Sequence, residues 1–285
     1  MILFLTCLFC FGTFVLFWSV VESCQRQINL HTVTLSKKKL SRPLRVLHLT
    51  DIHFSTSDRR LSLFFDRLAK EVYDLVVITG DIFDAESGIE TAKENLRKLK
   101  AKAGIYAVFG NHDYYDYLLW DIATMGLRGR RHPDTQQPVE LFEKALAEAG
   151  VTLLKNEKAS FQWDGQTISL YGLDDPTTGH ADIEKTMHDD HPEDINILLT
   201  HTIDAFFYIG ENEIDVSFSG HSHGGQIRFP WIGPLITHTQ LGPTYAAGIK
   251  ELKGAVCSIS RGVGASRFFS LRLLCRPEAI ILNLQ

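Results

Sequence analysis

Five short runs carry the side chains that could do chemistry. They are Asp51-Ile52-His53, Gly80-Asp81-Ile82-Phe83-Asp84, Gly110-Asn111-His112-Asp113, Thr200-His201 and Gly220-His221-Ser222-His223-Gly224-Gly225. Imidazole and carboxylate donors together suit Zn, Mn, Fe or Mg-like ions. One carboxylate can bridge two such ions about 3.5–4 Å apart, and the pair then clamps the attacking and leaving oxygens of a phosphoryl displacement. Glycines beside the donors let the backbone turn sharply and approach a substrate. Singly, each run is a weak signal. Asp-x-His recurs by chance, a lone histidine is more often structural, and His-x-His also fits a mononuclear site. The specific signal is their joint order. The chain shows no convincing nucleophile triad and no Gly-rich Walker sequence.

The runs need a scaffold, and the apolar pattern predicts one. Residues 45–50, 75–79 and 105–109 read as buried strands, separated by helices over 61–72 and 91–103. Strands alternating with helices imply βαβ units and a parallel sheet. Residues 114–139 break the rhythm and read as an insertion holding Arg128, Arg130, Arg131 and His132. A helix resumes over 141–149. Strands then dominate, over 151–154, 168–173, 197–200, 216–219, 227–229 and 255–259. Each chemical run follows a predicted strand, where an α/β sheet forms its binding crevice. The expected fold is α/β, a helix-flanked pair of packed, mixed sheets. His31, His48, His132, His180, His188, His191 and His238 lack motif context and read as structural or solvated.

In this order the runs resemble the calcineurin-like metallophosphoesterases, from residue 45 to the C-terminus. That family has an αββα sandwich. Gly-His-Ser-His-Gly-Gly-Gln and Ser260-Arg261-Gly262 resemble its bacterial membrane-associated branch, which includes UDP-2,3-diacylglucosamine diphosphatases of lipid A synthesis. The resemblance implies two divalent cations. Asp51, His53 and His223 would hold one, Asn111, His201 and His221 the other, and Asp81 would bridge them. His112 would face the substrate, protonating the leaving oxygen or stabilising the transition state, with Asp84 orienting it. Helix capping is the competing role for Asp84. A metal-bridging hydroxide would attack phosphorus in line. Arg128, Arg130, Arg131 and Arg261 are the candidate substrate-binding residues, because guanidinium forks suit phosphate oxygens. A phosphodiester or pyrophosphate is the expected substrate, UDP-2,3-diacylglucosamine the most specific candidate and a general phosphodiester the alternative. A non-catalytic metal-binding scaffold is disfavoured by the complete ligand set.

The N-terminus places this domain. Residues 2–21 carry no charge, enough to span a hydrocarbon core as one helix. No basic n-region or small-x-small cleavage site marks a signal peptide. Val21-Glu22-Ser23-Cys24 only loosely resembles a lipoprotein site. Residues 22–44 read as a basic linker able to meet anionic headgroups, and residues 45–285 as the phosphoesterase domain. Arg26, Lys37, Lys38, Lys39, Arg42 and Arg45 outnumber Glu22 beyond the span. The positive-inside rule then predicts a single-pass inner-membrane protein with a cytoplasmic catalytic domain. Cys7 and Cys10 lie inside the apolar run as filler, and Cys257 and Cys275 alone in the body give no disulfide framework. Net charge is -5, so nucleic acid is not an expected partner.

Overall fold

Leu75-Val76-Val77-Ile78 shows how the sequence builds its layers. All four side chains are buried, as in a strand covered on both faces. Val76 and Ile78 face helices on one side, and Leu75 and Val77 face a second sheet on the other. This alternation follows from the two-residue period of a strand. A computed structural model describes the chain apart from Leu119 and residues 121–131, 189–190, 211–212 and 267–269.

The first sheet contains β1 (Gln27–Val33), β14 (Glu278–Leu284), β2 (Leu44–Leu49), β3 (Leu75–Thr79), β4 (Ile105–Val108) and β5 (Thr152–Leu153), in that spatial order. Strands β2 to β5 run parallel, and β14 lies antiparallel to β2. The second sheet is ordered β12 (Gly248–Leu252), β13 (Ala255–Ile259), β9 (Val216–Ser219), β8 (Ile195–Leu199), β7 (Gln166–Gly172) and β6 (Glu157–Trp163). Its four central strands are parallel and its edges antiparallel. Both sheets are thus mixed, as expected. Helices α2 (Arg59–Leu68), α3 (Ile89–Leu96) and α5 (Val139–Glu148) cover the first sheet; α4 (Asn111–Tyr114) is a single turn. Helix α6 (Ile183–Met187) and the turn at Ile203–Phe207 cover the second.

Helix α2 buries Leu61, Phe64, Phe65 and Leu68, the i, i+3, i+4, i+7 stripe. The Asp58 side chain caps it by accepting from the Arg60 N–H. Helix α3 ends earlier than its composition suggests. Residues 100–102 are drawn into backbone hydrogen bonds with Tyr73, which takes them out of the helix.

The segment 22–44 is not a linker. Residues 27–33 form β1, which pairs in parallel with β14 along its length. Two of the segment's basic residues pair with acidic groups of the domain. Arg26 pairs with Asp58 at 3.1 Å and Lys38 with buried Asp215 at 2.9 Å. The parallel partner lies at the far end of the chain, so no local pattern reveals the pairing.

His48 ties the two sheets together. One ring nitrogen lies 2.9 Å from the Thr79 hydroxyl on β3, the other 3.1 Å from the Ser258 hydroxyl on β13. Burial lowers its pKa from 6.5 to about 3. The unfolded chain therefore binds a proton below about pH 6.5 that the folded chain refuses until about pH 3, and stability falls across that window at about 1.4 kcal/mol per pH unit. We expect the denaturation free energy of the wild type to fall about 2–3 kcal/mol further than that of His48→Gln between about pH 6.5 and 4.5. Parallel curves for the two proteins would refute the assignment.

Candidate active site

The loops following β2, β3, β4, β8 and β9 meet at one edge of the sandwich. Backbone bonds fix them to one another. The Asp51, His53 and Phe54 N–H groups donate to the carbonyls of Gly80, Asp81 and Ile82. Gly220 N–H donates to His201 O, and Gly264 N–H to Asp51 O. Asp113 fastens two loops at once, accepting from the N–H groups of Ile82, Phe83 and Gly110 at 2.9–3.0 Å. It is fully buried, and burial together with the Asp81 charge pushes its carboxyl up to about 7 against those three donors.

The backbone is strained where the donors sit. Asp51, His53, Asp81, His221 and His223 all have φ between 48° and 67°. Non-glycine residues rarely adopt this left-handed region, and such strain persists where surrounding structure enforces it, often at functional sites. Gly110 leaves room for a donor. A Cβ there would lie 2.4 Å from Asp81 Oδ1 and 2.8 Å from His201 Cδ2.

Two donor clusters share Asp81. Asp51, His53, Asp81 and His223 form the first; Asp81, His201 and His221 form the second. Within each, the donor atoms lie within 4.8 Å of one another. Asn111 lines the same cavity. The structure brings six of the seven expected ligands into these two groups. His201 Nδ1 lies 2.9 Å from the Thr79 carbonyl, which can only accept, so Nδ1 carries the proton. Nε2 is the nitrogen offered to a metal, the usual arrangement for a ligating histidine; against burial, the Asp81 charge raises this ring well above the usual histidine value. That Nε2 faces His221 Nδ1 at 3.1 Å and Asp81 Oδ2 at 3.3 Å.

Among the described residues, His53 Nε2 and Asn111 Oδ1 are buried without a hydrogen bond, and His53 Nδ1 has only the Asp84 carboxylate, 3.4 Å away. Buried polar atoms are costly unless satisfied, and a cation satisfies lone pairs of this kind. The residues present therefore fit divalent metal.

The electrostatics agree. Burial raises the Asp51 carboxyl, and the Asp81 charge beside it adds to the effect. Burial acts the same way on Asp81, but His201, by its charge and hydrogen bond, holds it well below the usual range. Burial drives His221 and His223 well below the usual histidine value, with His201 and Arg272 as respective cationic neighbours.

His112 forms a third group with His53 and Asp84, their donor atoms also within 4.8 Å of one another. Its backbone N–H donates to Asp81 Oδ1 at 2.8 Å, and its ring lies in the cavity wall. Asp84 Oδ1 sits 3.8 Å from His112 Nδ1 but 3.4 Å from His53 Nδ1, so it serves both rings. Burial lowers His112 to about 4, despite the opposing charges of Asp81 and Asp84.

The cavity over the donors has a volume of about 560 Å³. Tyr117, His132, Gln226 and His238 also line it. Tyr117 OH lies 2.9 Å from His132 Nδ1, whose Nε2 is 2.9 Å from the Thr177 carbonyl. The sequence reading left His132 and His238 as structural because neither stands in a motif. Arg272 also went unmarked. It is fully buried and donates to the carbonyls of His223, Arg261 and Gly264 at 2.7–2.8 Å, bracing the first cluster. Arg261 does not line the cavity; its Nε is 3.7 Å from buried Glu278, whose carboxylate also accepts from the Arg261 N–H. Arg128, Arg130 and Arg131 lie outside the described residues.

Comparison with known proteins places this arrangement. Residues 44–225 match the family model described as calcineurin-like phosphoesterase. The chain belongs to that family. Calcineurin-like phosphoesterases use divalent metals, and this member is a metal-dependent phosphohydrolase. Among its relatives, Bacillus subtilis (strain 168) YpbG is 34% identical over 262 residues, 90% of this chain and 87% of YpbG. Phosphodiesterase YaeI of Escherichia coli (strain K12) is 28% identical over 247 residues, covering 85% and 82% of the two chains. UDP-2,3-diacylglucosamine pyrophosphatase LpxG of Chlamydia trachomatis serovar D is 28% identical over 279 residues, covering 84% and 83%.

Two substitutions test this phosphoesterase site. Asp81→Ala removes the donor common to both clusters. Gly110→Ala keeps every donor but drives a methyl group into Asp81. We expect Asp81→Ala to lose bound metal, measured by elemental analysis, and Gly110→Ala to weaken metal affinity by roughly 10–100-fold, the range for disturbed supporting residues. Normal metal content and turnover in Asp81→Ala would overturn the shared-donor arrangement.

Proposed function

We propose that this chain is a membrane-anchored phosphoesterase with two divalent cations, hydrolysing a phosphodiester or pyrophosphate bond of a lipid-linked substrate. The observation that carries the chemistry is the pair of donor clusters joined at Asp81. Asp51, His53 and His223 hold one ion, and Asn111, His201 and His221 hold the other. The two cations supply an activated water nucleophile and neutralise charge on the phosphoryl oxygens.

The protein's own residues do the rest. The strained loops keep the donors preorganised, so little reorganisation accompanies catalysis. His112, neutral at physiological pH because of its burial, gives a ring N–H to a phosphoryl or leaving-group oxygen. Asp84 holds the ring in place. Tyr117 and His132 add polar groups to the wall of the same cavity.

Two observations favour a lipid-linked substrate. Helix α1 (Ile2–Ser23) is 22 residues long, apolar and almost entirely exposed, as a bilayer-crossing segment is. One relative carries the name of a UDP-2,3-diacylglucosamine pyrophosphatase, and UDP-2,3-diacylglucosamine is the specific candidate here. The phosphodiesterase relative supports the second reading, a general phosphodiester. The basic residues following α1 favour the cytoplasmic face of a bacterial inner membrane for the catalytic domain.

A purified-protein screen with Mn, Mg, Zn or Fe compares UDP-2,3-diacylglucosamine with a chromogenic phosphodiester. Metal-dependent release of UMP supports the lipid reading, and cleavage of the diester alone supports the second. We expect His112→Ala to retain both ions and lose roughly 10²–10⁴-fold in kcat. Loss of metal instead would make His112 a ligand. A reporter fused after Gln285 should report cytoplasm, and a periplasmic signal would reverse the orientation.

A further inference from the structure

An apolar hairpin stands beside the metal cavity. Strands β10 (Arg228–Phe229) and β11 (Gly233–Pro234) pair antiparallel, with Pro230, Trp231 and Ile232 at the tip. Trp231 is fully exposed, and Ile232, Leu235 and Ile236 are each at least 65% exposed. Residues 229–236 contain no charged side chain. Trp231 is held at φ 64°, an unfavourable conformation that presents the indole outward. A monomeric water-soluble surface rarely leaves such a contiguous apolar group uncovered.

The hairpin is stitched to the end of α1 through one short segment. Glu22, in the last turn of α1, is buried and accepts from the N–H groups of Leu274 and Cys275 at 3.0 and 2.8 Å. The Arg272 N–H donates to the Ser19 carbonyl. The same segment bonds to the hairpin base, with Leu273 N–H donating to Gln226 O and Arg228 N–H to Leu273 O. The position where α1 leaves the domain and the position of the hairpin are therefore fixed together. Upstream of buried Ser19, residues 2–18 extend about 26 Å at 1.5 Å per residue, close to a hydrocarbon core of about 30 Å.

We propose that the 228–236 hairpin enters the headgroup–acyl boundary of the bilayer that α1 crosses, setting the metal cavity at the lipid surface. This rests on the anchor reading of α1 and deepens it. A bilayer is the occupant because α1 brings one within reach, and because the tip carries tryptophan and no charge, as interfacial anchors do. Arg228, at the hairpin base, lies where headgroup phosphates would meet it. An apolar cavity of about 360 Å³ opens between the hairpin and His223, lined by Ile227, Phe229, Leu235 and Ile236. A lipid substrate drawn from the membrane would meet this cavity before reaching the metals.

The test uses the full chain reconstituted in phosphatidylcholine–phosphatidylglycerol vesicles. The fluorescence difference between wild type and Trp231→Phe isolates the Trp231 signal, and the substitution is mild enough to preserve folding. The expected result is roughly twofold or greater quenching of that signal by shallow doxyl-labelled lipid, with protection from aqueous iodide. A chain that floats with vesicles but leaves Trp231 open to iodide overturns the proposal while sparing the anchor. A chain that does not float overturns both. Trp231 shielded from iodide yet insensitive to doxyl lipid, with a doubled mass in detergent, assigns the hairpin to a second copy of the chain and refutes the bilayer as its occupant.

Discussion

Two carboxylates, Asp51 and Asp81, are buried beside each other, and the rest of the site exists to make that tolerable. Neither can be moved from water into the protein without a large desolvation cost. Each raises the free energy of ionising the other. Hydrogen bonds alone do not resolve this. Asp51 accepts from Thr50 Oγ1 and the His221 N–H, and Asp81 from the His112 N–H. The remaining oxygens face nitrogens of His53, His201 and His223, and His53 Nε2 has no hydrogen bond among the described residues. Positive charge placed among them would relieve both deficits, which is why the arrangement suits a metal better than a hydrogen-bonded network.

The same demand explains the backbone. Donors from five separate loops must converge on a small volume, and ordinary turns point several of them elsewhere. Left-handed φ angles at five donors redirect them inward, at roughly 1–3 kcal/mol each. The cost is met by regular structure nearby. Parallel strands β2, β3 and β4 hold their C-terminal ends level, while His48 locks the first sheet to the second. Asp113 then clamps the β3 and β4 loops against each other. Rigid sheets and strained loops thus work as one unit.

What the sequence made legible follows from range. The central strands β2, β3, β4, β8 and β9 are short, largely buried segments rich in apolar residues, and each ends in a motif, so both strand and donor could be read locally. Strands β1 and β14 could not. They pair with each other across the whole chain, and β1 lies at a sheet edge with half its residues exposed. The metal donors were legible because their types and order are constrained by coordination chemistry. Arg272 was not. A lone arginine in an apolar stretch has no pattern, and its role of capping three carbonyls behind His223 emerges only from the fold. Tyr117, His132 and His238 were equally silent, since a cavity wall is assembled from residues with no shared spacing.

The relation between α1 and the site is the last step. A catalytic domain on a flexible tether samples many orientations and presents its cavity to the membrane only part of the time. Here the tether is short and bonded. Glu22 receives two backbone N–H groups from 274 and 275, and Cys275 Sγ donates to the carbonyl of His223 at 3.3 Å. Two contacts therefore separate the last turn of α1 from a metal donor. An α1 that crosses a bilayer fixes both the height and the facing of the cavity. The entropy of orienting the domain is then lost on folding rather than at each encounter with substrate. Burying an acidic residue at the helix exit is costly unless it is satisfied, and the paired N–H groups satisfy it only when 272–275 is folded against the site. Helix α1 and the donor clusters are consequently parts of one cooperative structure.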